Sequence, residues 1–105
     1  MTAEPTTILD LLDAALTRFA DRPAVGLWHD EGTTTTWTYR ELDRRSRLAA
    51  WRLRHDLGLH PGDRILTWSP SEPALPAVYI GAMRAGLIVV PLDLRMSPDA
   101  IAGIV

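Results

Sequence analysis

The stretch over residues 74–92 constrains this chain more than any other, because Arg84 is its only charged residue. A run this apolar is about long enough to cross a bilayer; otherwise it is the centre of a folded core. Pro76, Gly86 and Pro91 interrupt it where one spanning helix needs none of them, and a mid-span Arg costs about 2.5–3.5 kcal/mol. The run therefore reads as a small-residue helix over 74–85, a stop at Gly86, and the β-branched strand Ile88-Val89-Val90 ending at Pro91. The turn Pro61-Gly62-Asp63 and a short strand over 64–68 come before it. Strand, helix and strand at this spacing predict a βαβ unit, with parallel strands and a right-handed crossover. Ala77, Gly81 and Ala85 predict that its helix lies close on its neighbours.

The preceding residues predict two more helices and a hairpin. Thr7 and Asp10 form a capping pair, and Ile8, Leu11, Leu12, Ala15, Leu16 and Phe19 then share one face, with Asp10, Asp13 and Thr17 opposite. Asp21-Arg22-Pro23 stops that helix. Strands over 24–28 and 34–37 follow, joined by the turn His29-Asp30-Glu31-Gly32. Thr38 and Glu41 make a Thr-x-x-Glu capping box, predicting a second helix from Tyr39 or Arg40 to Leu57 with Gly58 in the left-handed position after it. Leu42, Ala49, Ala50, Leu53 and Leu57 cluster on one side of it, while Leu48 and Trp51 sit nearly opposite among arginines, so the helix carries two apolar surfaces. Ser97-Pro98-Asp99 opens a last helix, which is expected to continue to Val105, the sequence stopping inside it.

Composition narrows the chemistry. The 105 residues, 47% hydrophobic and 23% charged, suit one domain that buries a core. A formal charge of -2 argues against nucleic acid as a partner. There is no Cys, hence no disulfide, thiol nucleophile or Cys-based zinc site. All 11 basic residues are Arg, which excludes a lysine-ended phosphate loop, a Schiff-base lysine and a Ser-Lys dyad. Met1 to Pro5 lack the basic and apolar regions of a secretory signal, so a cytoplasmic, soluble protein is expected and a membrane span is disfavoured.

The residues that could carry chemistry read as scaffold or surface. His29, His55 and His60 lack metal-ligand spacing. Ser69 and Ser71 flank Pro70 in a loop after a strand, but without the Gly-x-Ser-x-Gly elbow. Gly32 and Thr33 to Thr36 precede a strand rather than opening a helix, which fits a hairpin tip better than a phosphate cradle. Arg44, Arg45, Arg47, Arg52 and Arg54 interleave with Glu41, Asp43 and Asp56 as a solvated, ion-paired face. No residue is assigned a catalytic, cofactor-binding or metal-binding role.

Taken in order, the signals resemble the opening of the adenylate-forming (AMP-binding) ligases, a superfamily that includes acyl-CoA synthetases and fatty-acyl-AMP ligases. The residues that carry the resemblance are Ile8 to Leu12 with Phe19 to Val25; Trp37-Thr38-Tyr39-Arg40-Glu41-Leu42; Gly58-Leu59 with Pro61 to Ile65; and Tyr79 to Gly86 leading to Val90-Pro91-Leu92-Asp93. The loop Ser69 to Pro73 departs from the Asn-containing loop of many relatives. The resemblance implies an α/β fold, a partial N-terminal subdomain with a β-hairpin, a βαβ unit and about four helices, residues 1–105 being a truncated leading part of the ligase domain. It implies a fragment of an acid–thiol ligase that activates a carboxylic acid with ATP, as in fatty acid metabolism. ATP, Mg and coenzyme A are expected of the full-length family and none is expected to bind this segment, whose partner is then the remainder of the ligase chain or another protein. The phosphate loop and both lysines of the family are absent here, so the chain alone is expected to be inactive. The alternative is a stand-alone, non-enzymatic interaction module built on the same scaffold.

Overall fold

The computed structural model describes residues 7–70 and 73–105, so the N-terminal Met1 to Pro5 segment and Ser71 lie outside the described residues. Thr7 accepts a hydrogen bond from Asp10 N–H at 3.1 Å and starts α1 (Ile8–Phe19). The antiparallel hairpin β1 (Pro23–Trp28) and β2 (Thr34–Thr38) follows, closed by His29 N–H donating to Thr33 O at 2.8 Å. Thr38 Oγ1 accepts from Glu41 N–H at 3.1 Å to open α2 (Tyr39–His55). Then come β3 (Arg64–Thr67), α3 (Ala74–Arg84), β4 (Ile88–Pro91) and α4 (Pro98–Ala102), the last capped by Ser97 Oγ. β3 and β4 pair in parallel, Arg64 with Ile88 through Thr67 with Pro91, as a βαβ unit requires.

Helix α3 is the hub. Ala77, Ile80, Gly81 and Ala82 are buried, and a Cβ built on Gly81 would lie 2.6 Å from Ser46 O and 2.8 Å from Ala49 Cβ. Only a glycine lets α2 and α3 meet at that point. On one side Leu42, Ala77 and Ile80 gather Leu9, Leu12, Val25 and Trp37. On the other, Ala82, Ala85 and Leu87 gather Ala50, Leu53, Ile65 and Val89. Gly86 turns the chain between α3 and β4 at φ +77°, in the left-handed region, with its carbonyl accepting from Gly62 N–H at 2.8 Å.

Several expectations need correction. Ile8 and Leu11 are exposed, and it is Leu9, with Leu12, that packs on the core. Leu57 is exposed because α2 ends at His55, two residues early, although Gly58 does take the positive φ, +67°. α4 ends at Ala102 with Gly103 as its cap, so it does not continue to Val105. The core is also smaller than the composition suggests: among the described residues the buried hydrophobic side chains are Leu42, Ile80 and Leu87 with three alanines, while Trp28, Trp51, Leu66, Trp68 and Ile88 stay exposed. The Cα radius of gyration, 15.5 Å, exceeds the ~13 Å of a compact domain this long.

Candidate functional site

The densest polar cluster gathers around Arg84, the lone charge of the apolar run. Its Nη2 donates to Asp43 Oδ1 at 2.9 Å and Asp13 Oδ1 at 3.1 Å, and its Nε donates to Ser46 Oγ at 3.3 Å. Ser46, wholly buried, donates in turn to Asp43 O at 2.8 Å. The cluster joins α1, α2 and α3 and leaves every charge opposed, which makes it structural rather than reactive.

The arginines of α2 behave as an ion-paired face. Arg44 and Arg45 both donate to Glu41, and these hydrogen bonds hold its carboxyl down at about 2. That carboxylate is thus turned to arginines instead of completing the capping box. Arg47 pairs with Asp43, whose carboxylate raises the guanidinium's proton affinity. Arg45 also lies over the Trp37 ring at 4.3 Å.

Where α2 ends, a groove of about 680 Å³ is lined by Arg47, Trp51, Arg54, His55, His60 and Arg84 among others. The His55 and Trp51 rings are 4.7 Å apart, and His60 N–H donates to Asp63 Oδ2 at 2.8 Å. The groove brings two of the three histidines together; the third, His29, is hydrogen-bonded to Thr35 in the hairpin. Among the described residues no three His, Cys, Asp or Glu side chains converge as metal ligands. Ser69 Oγ donates to Pro70 O at 2.9 Å. Thr33 and its neighbours form the hairpin tip and lead into β2.

These residues do not fit a nucleotide-magnesium site. No lysine exists to meet a phosphate, the threonine run opens no helix, and the N-terminus of α2 is already flanked by the Glu41 carboxylate. No helix among the described residues is long and apolar enough to cross a membrane.

What the arrangement does offer is a scaffold with uncovered apolar surface: Leu48 and Trp51 on α2, and Leu66, Trp68 and Ile88 on the βαβ unit. A family model described as "AMP-binding enzyme" matches residues 12–105. Long-chain-fatty-acid–CoA ligase of Salmonella typhimurium is 35% identical over 92 residues, 88% of this chain and 16% of that protein. The mitochondrial acyl-coenzyme A synthetase ACSM5 of Rattus norvegicus is 36% identical over 66% of the chain, again a small share, 12%, of its own length. Among solved structures, a benzoate CoA ligase from Burkholderia xenovorans superposes with TM-score 0.76 at 31% identity, over 91% of this chain and 18% of that one. The N-terminal subdomain of NpsA from Klebsiella oxytoca, in complex with anthranilyl-AMSN, gives TM-score 0.81 at 26% identity over 96% of the chain and 25% of that one.

The fold is therefore that of part of the N-terminal subdomain of adenylate-forming ligases, about a quarter of the NpsA subdomain. This chain belongs to the AMP-binding enzyme family and spans 16% of the length of the curated CoA ligase it matches at 35% identity.

Proposed function

We propose that these residues are the leading, non-catalytic part of an AMP-forming acid–thiol ligase, of the acyl-CoA or fatty-acyl-AMP kind, working in the cytoplasm. The observation that carries this reading is the 35% identity to a CoA ligase along 88% of the chain, which covers 16% of that enzyme. ATP, Mg and coenzyme A are then held by residues outside this segment, which contributes the platform on which they are assembled. The chemistry supplied in the completed protein is attack of a carboxylate on the α-phosphorus of ATP, which releases pyrophosphate and gives an acyl-adenylate, followed by attack of a thiol on its carbonyl, which forms the thioester and releases AMP.

A second reading is a non-enzymatic interaction module on the same scaffold; the exposed pair Leu48 and Trp51 is compatible with it and equally with packing against the remainder of a ligase chain. Acid-dependent exchange of pyrophosphate into ATP tests the first part of the account. The purified 105-residue chain is expected to give none above the blank; exchange that rises with added carboxylic acid contradicts a non-catalytic role.

A further inference from the structure

Helix α2 turns one side to the core and leaves the other to solvent. Leu42 and Ser46 are buried and Leu53 packs on the cluster around Ala82, which fixes the inner side. Along the opposite side, Arg44, Arg45, Leu48, Trp51, Arg52 and His55 follow one another at spacings of three and four residues, and all six are exposed. Residues 39–55 hold six Arg against Glu41 and Asp43, net +4 in a chain of net -2, so the other residues together carry -6. The partial negative charge of the helix C-terminus, about half a unit, offsets little of this. Charge is therefore segregated into a basic ridge about 25 Å long on an acidic body.

The ridge also keeps cations unanswered. Glu41 meets Arg44 and Arg45, and Asp43 meets Arg47 and Arg84. Among the described residues no carboxylate pairs with Arg52 or Arg54, which flank the exposed Trp51 on either side around the helix.

That pattern selects among occupants. Packing Leu48 and Trp51 under further polypeptide would take Arg52 and Arg54 out of water unpaired, which is costly. A second copy would set like charge against like charge. A soluble acidic protein would need carboxylates in register with arginines spread along about 25 Å of helix. An anionic lipid surface needs no register. Its phosphates answer each free guanidinium, while Leu48 and the Trp51 indole enter at headgroup depth, where Trp is favoured. The acidic remainder of the chain is repelled by the same surface, which orients the contact.

We propose that the outer side of α2 is a peripheral docking site for an anionic lipid surface, with Arg52 and Arg54 meeting lipid phosphates and Trp51 anchoring at the interface. The contact does not depend on the ligase chemistry. It is peripheral, since no helix among the described residues is long and apolar enough to cross a membrane.

Cosedimentation with vesicles tests this on the 105-residue chain. Phosphatidylcholine vesicles containing one-third phosphatidylglycerol are expected to bind it at least ~100-fold more tightly than phosphatidylcholine alone, a difference that high salt removes. The double variant Arg52→Gln, Arg54→Gln should weaken that binding ~25-fold, about fivefold per charge, with an unchanged circular dichroism spectrum. Arg64→Gln removes an exposed Arg away from α2 and should change binding less than ~2-fold. Equal binding to the two kinds of vesicle overturns the proposal, as does an equal loss from Arg64→Gln and the double variant. Release from vesicles by inorganic phosphate at the concentration of lipid phosphate would mark a site for free anions and overturn it. A dimer that Trp51→Ala dissolves, or retention on polyglutamate without retention on vesicles, would give the face to a second copy or an acidic protein instead. In a folded chimera in which this chain replaces the aligned portion of the Salmonella typhimurium ligase, the double variant should again weaken vesicle binding. No difference there would show the face covered by the rest of the ligase, removing the lipid site and leaving the ligase reading intact.

Discussion

Arg84 Nη2 lies 2.9 Å from Asp43 Oδ1, joining residues 41 apart in sequence with both side chains largely withdrawn from solvent. The same nitrogen meets Asp13, whose side chain is 51% exposed. Removing the guanidinium leaves Asp43 partly buried without its strongest partner from α3, which the exposed Asp13 pairing does not do in reverse. Arg84→Met is expected to lower stability by about 2–3 kcal/mol, a drop in melting temperature of roughly 10 °C or more for a chain this size, whereas Asp13→Asn costs under about 1 kcal/mol. Equal melting temperatures for the two variants would contradict this division.

Close approach at Gly81 gives a second expectation. Alanine gains about 1 kcal/mol of helix propensity over glycine, but its Cβ would stand 2.6 Å from the backbone oxygen of Ser46, which cannot swing away. Overpacking wins. Gly81→Ala should therefore show a net loss of about 1–2 kcal/mol in urea unfolding, with Gly81→Val worse; a stabilised alanine variant would show that α2 and α3 do not meet as described.

These two cases mark what the sequence reveals. Thr7, Thr38 and Ser97 are legible as caps because their partners lie three residues on, and Gly81 is legible because small residues at helical spacing predict close packing. The role of Arg84 is not legible: its acceptors lie 41 and 71 residues away, and nothing local distinguishes an ion-paired arginine from a charge merely interrupting an apolar run. The exposure of Ile8 and Leu11 follows from the same limit, since periodicity gives the apolar face of α1 but not which part of it the neighbouring elements reach. As for the candidate site, the convergence of His55, His60 and Arg54 on one groove is not legible, because it depends on how the chain turns after α2.

Glu41 predicts an acid dependence. Its carboxyl is lowered from 4.5 to about 2, chiefly by the hydrogen bonds from Arg44 and then Arg45. A lowered folded-state value means that the stabilisation is fully present above about 4.5 and is lost as the pH falls toward about 2. Melting temperature should decline across that window, the decline should weaken in high salt because the pairs are exposed, and Glu41→Gln should flatten this part of the profile. An unchanged profile in the Gln variant would show that the arginine pairs add nothing to folding.

Leu48 and Trp51 are 46% and 55% exposed in the isolated chain. Replacing both with Glu is expected to leave the melting temperature within a few degrees, because little buried contact is lost, and to reduce binding of a hydrophobic dye. A cooperative loss of structure in the double variant would mean that the pair is internal to the fold.

The most direct test of the account is enzymatic. When this chain replaces the aligned portion of the Salmonella typhimurium long-chain-fatty-acid–CoA ligase, the folded chimera should regain acid-dependent AMP formation that neither the 105-residue chain nor the rest of the ligase shows alone. A chimera that is folded by circular dichroism and sedimentation, yet forms no AMP with any carboxylic acid supplied, would contradict the claim that these residues are the platform of such a ligase.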